Sequence, residues 1–181
     1  VLADDNRLMI CAFLTAISLS VSVPASAEES RVKLAVFGFE LIDSSLQGEL
    51  EGRHVEDLRR LSMIEADLKR QLVDSGLYEL VDAEPAKAAV EAAGYLHGCN
   101  GCEAGIAEDL GADQALIGWV QKVSNLILNL NVGIREASSQ KKIFAASVDI
   151  RGNTDESWRH GIRYLIKRKL FKDNSKINRS G

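Results

Sequence analysis

Histidine, proline and aromatic residues are scarce in this 181-residue chain: three His, two Pro, and 6% Phe, Trp and Tyr. Past Pro24 the one proline is Pro85, upstream of the Cys99/Cys102 pair. A thioredoxin-type site sets a cis-proline opposite its cysteines, and this chain has no residue for that place. Gly-x-Ser-x-Gly, His-Glu-x-x-His and Walker sequences are absent, so none of these nucleophile, zinc-protease or nucleotide-phosphate motifs is available. Covalent haem needs His after the second cysteine, where Glu103 stands. Zinc finds three ligands in His97, Cys99 and Cys102; a structural site wants four, and His54 and His160 are distant in sequence. Basic charge is not in excess either: 22 Lys and Arg face 26 Asp and Glu, which gives no support to nucleic-acid binding. Glu65, Asp67, Glu108 and Asp109 fall where helices carry solvent-facing charge, so paired-carboxylate catalysis is not needed to explain them.

What is present begins with an apolar run, Leu8–Val23, preceded by Arg7 and followed by Pro24-Ala25-Ser26-Ala27. Small residues at both A-x-A positions predict a cleaved secretory signal over residues 1–27. The run is short for a membrane span of ~20 residues. Val1 in place of Met, with Asp4 and Asp5 before Arg7, fits an alternative start. Removing that segment leaves 21 basic and 24 acidic residues, a net charge of −3. The expected organisation is one domain over 28–171 and a flexible basic tail over 172–181. Cys99 and Cys102 are then the two cysteines of a periplasmic protein, and an even number in an oxidising compartment predicts a disulfide.

The pattern along the chain is a mixed α/β fold. Val32–Phe39 is almost continuously apolar, as in a strand covered on both faces. Asp43–Arg53 reads as a polar loop. Leu58, Leu61, Ile64, Leu68 and Leu72 recur at helical spacing, and Ser75-Gly76 stops that helix. Tyr78–Val81 is a short strand, parallel to the first if the helix crosses over right-handedly. Asp82 and Pro85 open an Ala-rich helix that Gly94 closes. Residues 97–118 then join a two-cysteine turn, a short helix ended by Gly111, and an apolar strand. Leu126, Leu128, Leu130, Val132 and Ile134 alternate with Asn129, Asn131, Gly133 and Arg135; Phe144, Ala146, Val148 and Ile150 alternate in the same way. Asn153 and Glu156 resemble a capping box, and Trp158, Ile162, Leu165, Ile166 and Leu170 make the last helix's buried stripe. The order is β-α-β-α-α-β-β-β-α: a mixed sheet with an antiparallel three-stranded meander, helices packed on the sheet.

Leu34-Ala-Val-Phe-Gly-Phe39, Ser75-Gly76, Tyr78-Glu-Leu-Val81 and Leu110-Gly-Ala-Asp113 together resemble the α/β domain of the TolB amino-terminal and curli-secretion-lipoprotein type. Cys99-Asn-Gly-Cys102, Gly118-Trp-Val-Gln-Lys-Val-Ser124 and Asp149-Ile-Arg-Gly-Asn-Thr-Asp-Glu-Ser-Trp158 resemble a family of small secreted bacterial proteins. That second resemblance carries no established activity. It implies secretion and a neighbourhood of quinoprotein alcohol dehydrogenases. The chain lacks a lipid-attachment cysteine after its leader, so the anchored pore role of the curli lipoprotein is not implied.

The expected function is therefore a periplasmic accessory protein that binds another envelope protein, without catalysis and without a cofactor or metal. Candidate docking residues are Trp119, Lys122, Asn129, Asn131 and Arg151 on the meander, with Arg135 and Asp149 beside them. Arg163 and Lys167 extend the set along the last helix. Residues 159–181 carry eight basic side chains against Asp173 alone, a local +7 that suits an acidic partner or anionic lipid. A solvated helix face accounts for the same charges, and the wet side of a sheet accounts for the same amides. Two alternatives stay open: a thiol-disulfide component using Cys99 and Cys102, and a small-molecule or metal carrier.

Overall fold

A computed structural model describes residues 31–172; the expected leader, and the tail from residue 173, lie outside the described residues. Five strands form one sheet in the order β2-β1-β3-β4-β5. They are β1 (Val32–Asp43), β2 (Tyr78–Val81), β3 (Gln114–Lys122), β4 (Ile127–Glu136) and β5 (Lys142–Arg151). β1 runs parallel to both β2 and β3, and β3-β4-β5 is the expected antiparallel meander.

Leu34 and Val36 point to one face of β1, where α2 (Val55–Asp74) and α5 (Asp155–Tyr164) cover the main core. Ala35 and Phe37 point to the other, against Ala107 of α4 (Cys102–Asp109) and Ala112 and Ala137 nearby. Both faces of β1 are thus buried, which is why its sequence is apolar without alternation.

Leu61, Ile64, Leu68 and Leu72 of α2 are buried, but Leu58 is 40% exposed. The inward position of that turn belongs to Asp57, which has no exposed surface. Spacing alone placed Leu58 in the stripe; a buried ion pair took the site instead. The loop expected over 43–53 contains a short helix, α1 (Leu46–Glu51), started by Ser45, whose hydroxyl accepts from the Gly48 N–H at 3.0 Å. Asn153 and Glu156 do not cap α5. Thr154 is the N-cap, paired reciprocally with Ser157, and this frees Asn153 for a tertiary role. α5 continues as one π-helical stretch, Leu165–Leu170, and Trp158, Ile162, Leu165, Ile166 and Leu170 are all buried. α3 (Lys87–Ala93) closes at Gly94 with φ 71°.

A bulge in β1 decides how the candidate site is built. Pairing with β3 shifts between Val36 and Phe39, and Gly38 adopts φ 82°, a conformation that favours glycine. One extra residue turns every later side chain to the opposite face. Glu40 therefore leaves the core face and stands opposite Trp119, while Asp43 joins the core face opposite Lys122. Gly118 leaves room for the Phe39 ring: a Cβ there would lie 2.3 Å from it.

Candidate functional site

On the α4 side of the sheet, Glu40 gathers three donors. Its carboxylate accepts the backbone N–H of Leu96 at 2.5 Å and of His97 at 3.2 Å, and His97 Nδ1 at 2.5 Å. The carboxylate thus holds the one-turn 3-10 helix Leu96–Gly98 against the strand. A carboxylate only accepts, so the His97 ring donates from Nδ1. The imidazole stacks on Trp119 at 5.9 Å between centroids, and Tyr95 meets it edge-on at 5.6 Å. Arg53 donates to the Tyr95 hydroxyl at 2.7 Å.

The next turn carries the cysteines. Cys99 and Cys102 form a disulfide with Cα atoms 5.7 Å apart. Asn100 and Gly101 between them have φ of 58° and 115°, values that Asn and Gly adopt with least strain. Buried Glu103 follows and receives Arg135 Nε at 2.7 Å, and Arg135 Nη1 also reaches the Gln140 carbonyl at 2.8 Å. This ties α4 to the β4–β5 turn. Among the described residues, Cys99, Cys102 and Glu103 are the one group of at least three potential metal ligands within 4.8 Å of one another. Both sulfurs are committed to the disulfide, and Glu103 is engaged by a guanidinium; His97 is outside the group.

The core face holds a second polar cluster. Lys122 Nζ lies 2.6 Å from Asp57 and 3.2 Å from Asp43, with all three side chains almost entirely buried. Asp57 also receives Asn153 Nδ2 at 2.7 Å and Arg60 Nη1 at 3.0 Å, and Asn153 accepts the Trp158 indole N–H at 2.8 Å. Burial pushes the Asp57 carboxyl up, but hydrogen bonds from Lys122 and Asn153 outweigh it and hold the group below its ordinary 3.8. Asp43 is held down likewise, against burial, by Ser45 and then Lys122. Burial would lower Lys122, yet its two carboxylate partners raise it above 10.5. Asp155, bound by Arg59 and then Arg60, is lowered too. These charges pin α2 to β1, β3 and the start of α5.

The expected docking residues separate. Trp119, Asn129 and Asn131 share the α4 side of the sheet, but Asn131 is buried there; its Nδ2 donates to Asn129 Oδ1 at 2.6 Å, and Asn129 Nδ2 donates to Asp149 at 2.7 Å. Arg151 is exposed at the end of β5. Lys122 is not on that surface: strand alternation after Trp119 and Gln121 turns it into the opposite face, where it is 1% exposed. Arg163 and Lys167 are exposed on the last helix beside Asp67, Arg70 and Arg159. His54 precedes α2 within 3.4 Å of Glu51, and His160 is exposed on α5. Sequence reasoning missed Glu40, Arg53 and Tyr95. A glycine inside an apolar strand, Gly38, was the available signal, because it marks a bulge and hence a change of face.

A family model, DUF3280, described as "Protein of unknown function (DUF2380)", matches residues 32–170, the span from β1 to the last helix. The chain belongs to that family. No curated protein matches it. Among solved structures it is similar to the LpoB C-terminal domain from Escherichia coli, at 17% identity and a TM-score of 0.48, covering 70% of this chain and 87% of that one. It is also similar to lipoprotein GNA1162 from Neisseria meningitidis, at 13% identity and a TM-score of 0.45, over 80% of this chain and 96% of that one. TolB from Acinetobacter baumannii matches at 11% identity and a TM-score of 0.42, over 77% of this chain and 29% of that one. Among the described residues, no helix is long and apolar enough to cross a membrane.

Proposed function

We propose that this chain is a secreted, periplasmic accessory protein that acts by binding another envelope protein and catalyses no reaction. The observation that carries the reading is the row Asn129–Asp149, braced by buried Asn131 beside Trp119. There the helices that cover one end of the sheet face give way to amides and a carboxylate bonded to one another. Such a row offers fixed donors and acceptors with an aromatic neighbour, the mixture that protein interfaces favour. Non-catalysis has its own support. Glu40, Glu103, Asp43 and Asp57 are each spent on holding elements together. Exposed Arg163 and Lys167 add a second contact surface for an acidic partner.

Tagged mature chain and an Asn129→Lys variant, passed over periplasmic extract, test the reading. A purified quinoprotein alcohol dehydrogenase is the first defined candidate. The parent chain is expected to retain one partner reproducibly and the variant to lose it. Identical recovery by both, or no reproducible partner, counts against the docking face. The thiol-disulfide alternative is tested separately by the reduction potential of Cys99–Cys102: a value well below that of known oxidoreductases means a structural bridge.

A further inference from the structure

β2 pairs with β1 only along Val32–Ala35, whereas β1 continues to Asp43 with β3 on its other side. Main-chain N–H and C=O groups point to both sides of a strand. From Val36 onward, β1 therefore turns one row of them toward an edge that no described strand covers. Beside this edge lies a cavity of about 370 Å3, walled by Leu41, Ile42 and Asp43 of β1, Gly48 and Gly52 of α1 and its end, and Arg53, Tyr95 and His97. Its size is at the lower end for ligand sites and suits one or two residues of a peptide better than a large cofactor.

The charges are unequal. Asp43 shares Lys122 with Asp57, and Glu40 is fully engaged by three hydrogen bonds, from His97 Nδ1 and two backbone N–H groups. Arg53 is exposed and has the neutral Tyr95 hydroxyl as its partner, with no ion pair among the described residues. The cleft thus joins a guanidinium without an ion-pair partner, an apolar hollow and a strand edge that no described strand pairs.

We propose that this cleft binds the carboxy-terminal end of an extended peptide. The free carboxylate meets Arg53, the last apolar side chain enters the hollow beside Ile42 and Tyr95, and the peptide main chain adds to the open edge of β1. Strand addition supplies affinity through main-chain hydrogen bonds, and carboxylate capture fixes the end of the peptide. The cleft adjoins the docking face at the His97–Trp119 stack but uses neither Asn129 nor Asp149.

The test is an amide and imidazole NMR titration of the mature chain with acetyl-Ala-Ala-Val-Leu bearing a free carboxylate. Saturable shifts are expected at the Leu41 and Ile42 amides and at His97. The same peptide as a carboxamide, or the free acid added to Arg53→Leu, is expected to bind roughly tenfold to a hundredfold more weakly. Arg53 is exposed, and an otherwise unchanged spectrum shows that its variant is folded. Asn129→Lys is expected to bind the peptide as the parent does, which separates this site from the docking face. Equal binding of acid and carboxamide overturns the proposal. So does 4-methylpentanoate binding as well as the peptide, shifts that map away from β1, or no saturable shift at ~10 mM peptide.

Discussion

Replacing Lys122 by Met tests the buried charge cluster most directly. The substitution keeps the aliphatic stem and removes the ammonium that lies 2.6 Å from Asp57 and 3.2 Å from Asp43. Both carboxylates stay behind, buried to more than nine-tenths. Breaking a buried pair from one side typically costs about 3–5 kcal/mol, because an uncompensated charge remains. Arg60 and Asn153 still reach Asp57, and Ser45 still reaches Asp43, which argues for the lower half of that range. Urea unfolding at pH 7 is the assay. Thermal melts should show a drop of roughly 10 °C at this chain length.

The pH dependence has a definite sign. Asp43, Asp57 and Asp155 have folded-state pKa values below 3.8, so their stabilisation is fully present above that value and is lost as pH falls through the folded values. Lys122 is raised above 10.5, so its share is present below 10.5 and lost only as pH rises through the folded value. In Lys122→Met the two buried carboxyls lose their cation and protonate more easily, so the gap from the parent narrows on acidification. Adding Asp57→Asn removes one stranded charge and should recover part of the loss, a coupling that a double-mutant cycle reads. A loss below about 1 kcal/mol at pH 7, or a gap that widens toward acid, would refute the reasoning.

Asn153→Ala should destabilise by about 1–3 kcal/mol, because it strips a donor from Asp57 and the acceptor from the buried Trp158 indole. Thr154→Ala removes only the cap of α5 and should cost about 1 kcal/mol by the same chemical unfolding; the reverse order would reinstate Asn153 as the cap. Cys99→Ser should cost only about 1–2 kcal/mol, since a three-residue separation closes little loop entropy, and reductant should have the same effect on the parent. At Gly161 a Cβ would lie 2.8 Å from Ile150 and 3.2 Å from Leu130, so Gly161→Val should cost about 1–3 kcal/mol by overpacking, visible as a lowered melting temperature.

The sequence by itself determined most of the elements and their order, α1 excepted, because periodicity and punctuation are local. Leu61, Ile64, Leu68 and Leu72 mark one helix face, Leu128 to Ile134 one sheet face, and Gly76, Gly94 and Gly111 end helices with φ near 70°. The same locality misled at two capping and stripe positions. Asn153 has the residue type of a cap and Leu58 the spacing of a core residue, yet each place was settled by Asp57, 96 residues from Asn153 and on the turn beside Leu58.

Only the tertiary structure decided the candidate site. His97 and Glu40 are 57 residues apart, and Lys122 and Asp57 are 65 apart. Whether Glu40 faces the α4 side and Asp43 the core depends on the single bulge at Gly38, since one inserted residue reverses every side chain after it. Strand alternation likewise sends Lys122 inward although its neighbour Gln121 is exposed. Composition records that a lysine is present; the long-range pairing of β1 with β3 determines that it is buried between two aspartates rather than offered to a partner.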